Sequence, residues 1–266
     1  MSLAKTTRSV SITRFEDGAP GGVSDDALAV EEPLEIRVGG QSVAVVMRTP
    51  GHDRELAAGF LVTEGLIRHR DDVLDLIYCG GEGKPQENVI DVLLTPGGRV
   101  DFARLTRNVF TSSSCGICSK ASIDAVRAQF PPLRRALRPR RSVLAALPKR
   151  LRGAQAGFAA TGGLHASALF DAAGKLFVAR EDVGRHNALD KAIGHAFFAE
   201  RLPLATAILL VSGRVSFEIV QKALEARIPC VAAISAPTSA AVELARESGQ
   251  TLVGFLRGAG MNGYAG

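Results

Sequence analysis

The chain has 266 residues, of which 46% are hydrophobic and 22% charged, and this composition excludes a disordered or fibrous protein. Its net charge of +5 and sequence pI of 9.3 favour anionic partners. No apolar run reaches the roughly 20 residues of a membrane helix, and the N-terminal stretch MSLAKTTRSVSITRF lacks the apolar block of a secretion signal, so we expect a cytoplasmic protein with no membrane contact.

The first part of the chain is predicted to form a small α+β domain over residues 31–110. Residues 1–30 contain GAPGG and DD and are expected to be a flexible arm. LEIRV and SVAVVM alternate apolar and polar residues on either side of Gly39 and Gly40, which predicts a β-hairpin. RELAAGFLVTEGLI has the period of a helix, and NVIDVLLT is predicted to be a further strand.

Residues 111–156 are interpreted as a cysteine loop, a helix and a basic connector. The loop is TSSSCGICSK and the predicted helix is ASIDAVRAQF, so the cysteines precede a helix. Residues 131–152 then hold eight Arg or Lys and no acid. This run is either a solvated helical face or a docking strip for an acidic protein or a phosphorylated ligand. It has no interleaved aromatic residues, which disfavours nucleic acid as a partner.

Residues 157–266 alternate strands and helices. The predicted strands are LHASALFD, KLFVARE, ATAILLVS, PCVAAIS and TLVGFL, and the predicted helices are NALDKAIGHAFF, SFEIVQKALEA and SAAVELARES. Such alternation is typical of a layered α/β domain with a largely buried sheet. The fold class is therefore α/β, with an α+β N-terminal unit and an α/β C-terminal domain.

The CxxC pair of Cys115 and Cys118 is the strongest chemical signal in the chain. The thiolate is the reactive form of cysteine, and a helix N-terminus and the neighbouring Lys120 both favour that anion. In a reducing cytoplasm four cysteines at unequal spacing do not form a disulfide framework. The two thiols are therefore free to react.

The CxxC pair has three other possible roles. A zinc site needs two more ligands, which His165 or His186 could supply. Cys79 and Cys230 lie in apolar runs and are expected to be core residues. His165 lies within the apolar strand LHASALF and is also expected in the core. A thioredoxin-like pair is disfavoured because the chain has no Trp and its CxxC is central. A purely structural turn is disfavoured by the hydroxyl residues that precede the thiols.

Several segments in the same order resemble the FdhD family, the formate dehydrogenase accessory sulfurtransferases. The similar segments are ELAAGFLVTEGLI, SSSCGICSKASID, GGLHASALFD, VAREDVGRHNALDKAIG, SGRVSFEIVQKA, ISAPTSAAVELA and LVGFLRGAGMNGYAG. Together they cover most of residues 32–266.

The resemblance implies a sulfurtransferase that acts in molybdenum-cofactor maturation. A cysteine desulfurase would place a persulfide on Cys115, with Cys118 as its partner thiol. The sulfur would then reach a bis(molybdopterin guanine dinucleotide) molybdenum cofactor, bound as cargo, that is needed for formate dehydrogenase. The resemblance also implies a homodimer and a C-terminal domain similar in fold to cytidine deaminases, whose zinc-binding motif this chain lacks.

A polyanionic guanine dinucleotide is expected to bind where strands lead into helices, at DVGRHN, SGRVS and SAPTS. The resemblance adds FLRGAG, in which Arg257 could pair with a phosphate. The candidate cofactor-binding residues are Phe255, Leu256, Arg257, Gly258, Ala259, Gly260, His186 and Arg214. Two alternatives stay open: a chaperone that binds the cofactor without covalent sulfur chemistry, and a zinc-stabilised binding protein.

Overall fold

The structure is a computed structural model that describes residues 6–16, 19–81, 84–96, 132–133 and 136–266. The cysteine loop and the helix predicted directly after it lie outside these described residues. Within the described part of the chain, no helix is long and apolar enough to cross a membrane.

The N-terminal part consists of six strands and one α-helix among the described residues. They are β1 (Thr7–Glu16), β2 (Ala19–Ala29), β3 (Glu32–Val38), β4 (Gln41–Arg48), α1 (Asp53–Thr63), β5 (Val73–Gly81) and β6 (Lys84–Leu94). Strands β3 to β6 form one sheet in the order β4-β3-β6-β5. Strand β5 was not predicted from the sequence.

The predicted hairpin around Gly39 and Gly40 is confirmed. Val38 pairs with Gln41, and both glycines have positive φ, at 57° and 82°, which a two-residue turn of this kind requires. Alternate residues of β3, beginning at Leu34, face the core and are almost fully buried. The pattern therefore predicted the two strands, although Val45 and Met47 of β4 are exposed.

The described residues of the expected N-terminal arm are not irregular: β1 and β2 form a two-stranded antiparallel sheet of their own. Phe15 and Val23 on this hairpin are largely exposed. The sequence of β2, APGGVSDDALA, has a Pro-Gly-Gly group and a pair of acids, which are turn signals, so pairing with β1 overrides its local preference.

The C-terminal part begins with a helix on the basic run and continues as alternating strands and helices. Its elements are α2 (Arg141–Arg152), α3 (Ala156–Thr161), β7 (His165–Phe170), β8 (Leu176–Asp182), α4 (Arg185–Phe198), β9 (Ile208–Val211), α5 (Phe217–Glu225), β10 (Cys230–Ala233), α6 (Ser239–Ser248), β11 (Thr251–Arg257) and β12 (Gly260–Ala265). The five strands and three helices predicted here are confirmed; β12 was not predicted.

Strands β7 to β12 form a mixed sheet in the order β12-β11-β10-β9-β7-β8. Strands β9, β10 and β11 are parallel to one another, whereas β7 runs antiparallel to both of its neighbours and β12 runs antiparallel to β11. The carboxyl ends of β8, β9, β10 and β11 therefore meet at one edge of the sheet, which we call the carboxyl edge. The predicted α/β class is confirmed.

Helices cover both faces of this sheet. Leu209 and Val211 of β9 face a core that includes apolar residues of α1, α4, α5 and α6. Ile208 and Leu210 of the same strand face the opposite core, to which α2 contributes Leu144, Leu147 and Leu151. The sheet is thus the middle layer, and α2 lies on the other side of it from α4, α5 and α6.

Helix α1 of the N-terminal part packs closely on α4. A Cβ atom at Gly59 would lie 1.8 Å from the carbonyl oxygen of Asp190, and one at Gly194 would lie 1.8 Å from that of Glu55. Only glycine permits this approach, so the two helix backbones are in direct contact at two points. This crossing holds the N-terminal part against the C-terminal sheet.

Candidate functional site

Loops from separate parts of the chain meet at the carboxyl edge. The connections β8–α4, β9–α5 and β10–α6 leave the sheet there, and they contain the predicted DVGRHN, SGRVS and SAPTS segments. The turn between β11 and β12 reaches the same edge and contains the end of FLRGAG. The edge therefore brings together all four segments that the sequence had singled out for ligand binding.

Backbone hydrogen bonds join three of these segments. The N–H of Val215 donates to the carbonyl oxygen of Ala236 at 3.1 Å, and the N–H of Thr238 donates back to Val215 at 2.9 Å. The N–H of Phe255 donates to the carbonyl oxygen of Ser235 at 3.1 Å. The β9–α5 loop, the β10–α6 loop and the end of β11 consequently form one continuous surface.

Two helices at this edge begin without help from a cap side chain. The cap positions are Gly184 for α4 and Ser216 for α5, and neither makes a side-chain capping hydrogen bond. The cap of α6, Thr238, does accept a hydrogen bond from the N–H of Ala241. The first turn of an uncapped helix presents N–H groups and a partial positive charge, which suits a phosphate.

His186 lies in the first turn of α4 and is mostly buried, with 12% of its side chain exposed. Its Nε2 atom is 3.3 Å from Ser216 Oγ and 3.3 Å from Glu218 Oε2. One ring nitrogen faces both oxygens, so this group is not a Ser-His-Glu relay, which needs a separate nitrogen for each partner. Burial, aided by the charges of Lys222 and Arg185, lowers the pKa of His186 to about 3, so the ring is neutral.

Glu218, in the first turn of α5, is the second buried titratable group here. Burial raises the pKa of Glu218 to about 7, although the charge of Lys222 opposes the shift. Its Oε2 atom is buried and accepts no hydrogen bond from the described residues, although His186 is nearby. Sequence reasoning missed this residue because a glutamate at the start of an amphipathic helix is usually solvated.

Arg185 and His165 complete the group. A Cβ atom at Gly213 would lie 3.2 Å from His165 Nδ1, so glycine lets the β9–α5 loop approach the histidine ring. The buried Nε of Arg185 has no hydrogen-bond partner among the described residues. Burial lowers the pKa of His165, helped by the charge of Arg185. His165 was expected in the core, but as the first residue of β7 it is only partly buried.

FLRGAG forms the end of β11 and the turn into β12. Phe255 is 40% exposed and has a φ of 52°, an uncommon conformation for a bulky residue. Leu256 is fully buried, so its side chain is a core group and not a ligand contact. Arg257, Gly258, Ala259 and Gly260 are exposed at the tip of the hairpin. Gly258 has a φ of 56°, as a tight turn requires.

Arg214 and Arg257 are the exposed cations of the carboxyl edge that the sequence predicted. Arg214 lies in the β9–α5 loop and Arg257 at the end of β11. Neither guanidinium has a hydrogen bond or ion pair with any residue that the structure describes. Both are therefore available for an anionic ligand.

Two buried ion pairs lie beneath the surface of the carboxyl edge. Lys222 Nζ lies 2.9 Å from Asp190 Oδ2 and donates to Thr63 Oγ1 at 2.9 Å. Lys191 Nζ lies 2.6 Å from Asp182 Oδ2, with both side chains fully buried. The first pair joins α4 and α5 to Thr63 of α1, and Lys191 also donates to the carbonyl oxygen of Thr49, so both pairs connect to the N-terminal part.

The structure does not describe Cys115 and Cys118, so their predicted role in sulfur chemistry stays a prediction. Of the other cysteines, Cys230 is buried, as expected, and burial raises its pKa to about 12. Cys79 is only partly buried on β5, which corrects the expectation of a core residue. The described residues contain no group of three His, Cys, Asp or Glu side chains that could hold a metal ion.

The chain is similar to one protein family over most of its length. The model of the FdhD/NarQ family matches residues 29–266. The sulfur carrier protein FdhD of Streptomyces avermitilis is 52% identical over 274 residues, covering 99% of this chain and 95% of the relative. The sulfur carrier protein FdhD of Mycobacterium tuberculosis is 53% identical over 247 residues, with 90% of each chain covered.

A solved structure has the same fold. It is the crystal structure of a protein from Desulfotalea psychrophila described as a formate dehydrogenase accessory protein, with a TM-score of 0.77 at 22% sequence identity. The match covers 98% of this chain and 97% of that one.

Proposed function

This chain belongs to the FdhD/NarQ family, and on that premise we propose that it carries persulfide sulfur from a cysteine desulfurase to the bis(molybdopterin guanine dinucleotide) molybdenum cofactor of formate dehydrogenase. The single observation that supports the cofactor half of this proposal is the meeting of four loops at the carboxyl edge, with two exposed arginines and two helix N-termini without side-chain caps. A guanine dinucleotide is polyanionic, and these groups suit phosphates.

The sulfur half of the proposal rests on Cys115. Its thiolate attacks the terminal sulfur of the donor's persulfide, the donor's S–S bond breaks, and the donor cysteine leaves as a thiolate. A new S–S bond forms at Cys115, so the sulfur changes carrier without net oxidation. The sequence favours the thiolate because Lys120 is close and a helix is predicted to follow.

Cys118 has two possible parts in delivery. As a resolving thiol, its thiolate attacks Cys115 Sγ, and hydrosulfide leaves as a disulfide forms. The two cysteines then supply the two electrons that reduce the transferred sulfur. As a second carrier, Cys118 instead accepts the terminal sulfur and becomes the persulfide. Only the first route oxidises the protein, so the two routes are separable by experiment.

Intact-protein mass spectrometry tests the carrier function. Wild type, Cys115→Ala and Cys118→Ala are incubated with an active cysteine desulfurase and cysteine, with and without reductant. We expect wild type to gain one sulfur that reductant removes, and Cys115→Ala to gain none. Retention of the added sulfur in Cys115→Ala overturns the assignment of the carrier residue.

A cofactor chaperone without covalent sulfur chemistry is the second candidate. The carboxyl edge supports it equally well, because none of the groups described there is a thiol. In that case no variant gains sulfur from a desulfurase that loads another acceptor, and Cys115→Ala still activates formate dehydrogenase. For the zinc-stabilised alternative, we expect about one equivalent of zinc in protein purified without chelator, lost on changing either cysteine.

A further inference from the structure

The basic strip is the strongest charged feature that the proposed function leaves unused. We define it as the exposed residues Arg138, Arg140, Arg141 and Lys149 at and before helix α2. The other cations of α2 have structural contacts: Arg150 donates to the carbonyl oxygen of Gly174, and Arg152 lies 4.8 Å from the ring of Phe158. The four strip residues have no hydrogen bond or ion pair with any residue that the structure describes.

The two arginines of the strip at the start of α2 are electrostatically unfavourable for the helix itself. Arg140 is the cap residue of α2 and Arg141 its first residue, and the first turn has no acid. The N-terminus of a helix carries a partial positive charge, so cations there oppose helix formation. Helix stability therefore does not account for these arginines, and an anionic partner does.

The strip lies away from the carboxyl edge. Leu133 N–H donates to the carbonyl oxygen of Ser248, at the end of α6, and Arg227, before β10, donates to the carbonyl oxygen of Pro132. The chain thus approaches α2 from the edge opposite the candidate cofactor site. Helix α2 also covers the sheet face that α4, α5 and α6 do not. The anion that meets the strip is therefore different from the cofactor at the carboxyl edge.

The observations favour a protein surface over other anions. The three leucines of α2 are buried in the core and Val143 packs against it, so no large apolar side chain is left to insert into a membrane. The strip has no aromatic residue on which bases could stack. Sulfur transfer also needs short-lived complexes, and complementary charge raises association rates between proteins.

We propose that the basic strip docks the sulfur donor, a cysteine desulfurase that presents an acidic surface. This inference rests on the proposed carrier function. The client enzyme must offer its cofactor at the carboxyl edge, whereas the donor has no need of that edge. Donor and cofactor then occupy opposite edges of the sheet.

Charge reversal tests the docking surface. The strip variant is Arg138→Glu/Arg140→Glu/Arg141→Glu, and the control is Arg8→Glu/Arg14→Glu/Arg68→Glu, which makes the same change at exposed arginines elsewhere. Association with the desulfurase of the same organism is measured at low and high salt, together with the rate of sulfur loading by mass spectrometry. Thermal unfolding shows that both variants are folded.

We expect the strip variant to associate at least tenfold more slowly at low salt and to lose the salt dependence, with an unchanged loading rate at saturating desulfurase. The control should behave like wild type. The docking site is wrong if both variants lose desulfurase association equally, or if neither loses it. It is also wrong if the strip variant loses affinity for single-stranded RNA and still binds the desulfurase as wild type does. If wild type binds through the strip but gains no sulfur, docking stands and the proposed carrier function fails.

Discussion

His186 Nε2 and Glu218 Oε2 lie 3.3 Å apart at the carboxyl edge. Their shifted pKa values have opposite effects on how the stability of the fold depends on pH. Burial lowers the pKa of His186 from 6.5 to about 3, so the folded chain binds fewer protons there than the unfolded chain does. Burial raises the pKa of Glu218 from 4.5 to about 7, so the folded chain binds more. Stability rises with pH where the unfolded state binds more protons and falls where it binds fewer.

Replacing His186 isolates the Glu218 contribution. Wild type gains stability from His186 as pH rises from 3 to 6.5 and loses it through Glu218 from 4.5 to 7. In His186→Gln only the loss of stability through Glu218 remains. We expect its stability relative to wild type to fall by about 1 kcal/mol per pH unit up to pH 6.5. Urea unfolding followed by circular dichroism at several pH values measures this, and parallel curves contradict the assignment.

Glu218→Gln should have the opposite effect. The variant lacks the carboxyl group that must lose its proton inside the protein, so its stability relative to wild type should rise between pH 4.5 and 7. Above pH 7 the difference should stay constant, at up to about 3 kcal/mol. The same unfolding series provides the measurement. A relative stability that falls over this window means that the carboxyl group is not the source of the shift.

The sequence predicted some residues of the candidate site and not others. The strand-to-helix junctions with His186 and Arg214 were predictable because loops after parallel strands meet at one edge. Glu218 was not predictable, since only the packing of α5 shows that its first turn is buried. His165 was misjudged because its apolar neighbours belong to the strand interior, whereas it begins the strand at the edge.

The elements missed from the sequence depend on tertiary pairing. Strand β12, GMNGYA, contains glycine and asparagine, which are poor strand formers, and it exists because it pairs with β11. The hairpin of β1 and β2 is a similar case. In contrast, the buried strands β9 and β10 are short apolar runs between helices, and their composition was sufficient to predict them.

The contact between α1 and α4 could not be read from the sequence either, and Gly59→Ala tests it. Alanine favours a helix over glycine, so a local effect would stabilise the variant. The added methyl group, however, would lie 1.8 Å from a backbone oxygen of Asp190. We expect a loss of at least about 2 kcal/mol in the free energy of unfolding. Gly263→Ala, where nothing lies within 4 Å, is the control and should stay near wild type.

Lys222 tests the buried ion pair beneath the candidate site. Lys222→Met leaves Asp190 as an uncompensated buried carboxylate, so we expect a loss of about 3–5 kcal/mol in chemical unfolding. Lys222→Met/Asp190→Leu removes both charges and should lose less than the single variant does. A double variant that is as unstable as the single one would attribute the loss to packing. The exposed Lys175→Met serves as the control and should change little.

Arg257 provides the direct test of the carboxyl edge as a cofactor site, with guanosine diphosphate as the probe. The arginine is exposed at the tip of the β11–β12 hairpin and has no partner among the described residues, so its removal should leave the fold intact. A lost charge-assisted contact to a phosphate is worth about 1.5–3 kcal/mol, so we expect Arg257→Ala to bind the nucleotide at least about tenfold more weakly by calorimetry. Arg8→Ala, which removes an exposed arginine from the N-terminal hairpin, should bind like wild type. Equal affinities of wild type, Arg257→Ala and Arg8→Ala would mean that the nucleotide does not contact this hairpin.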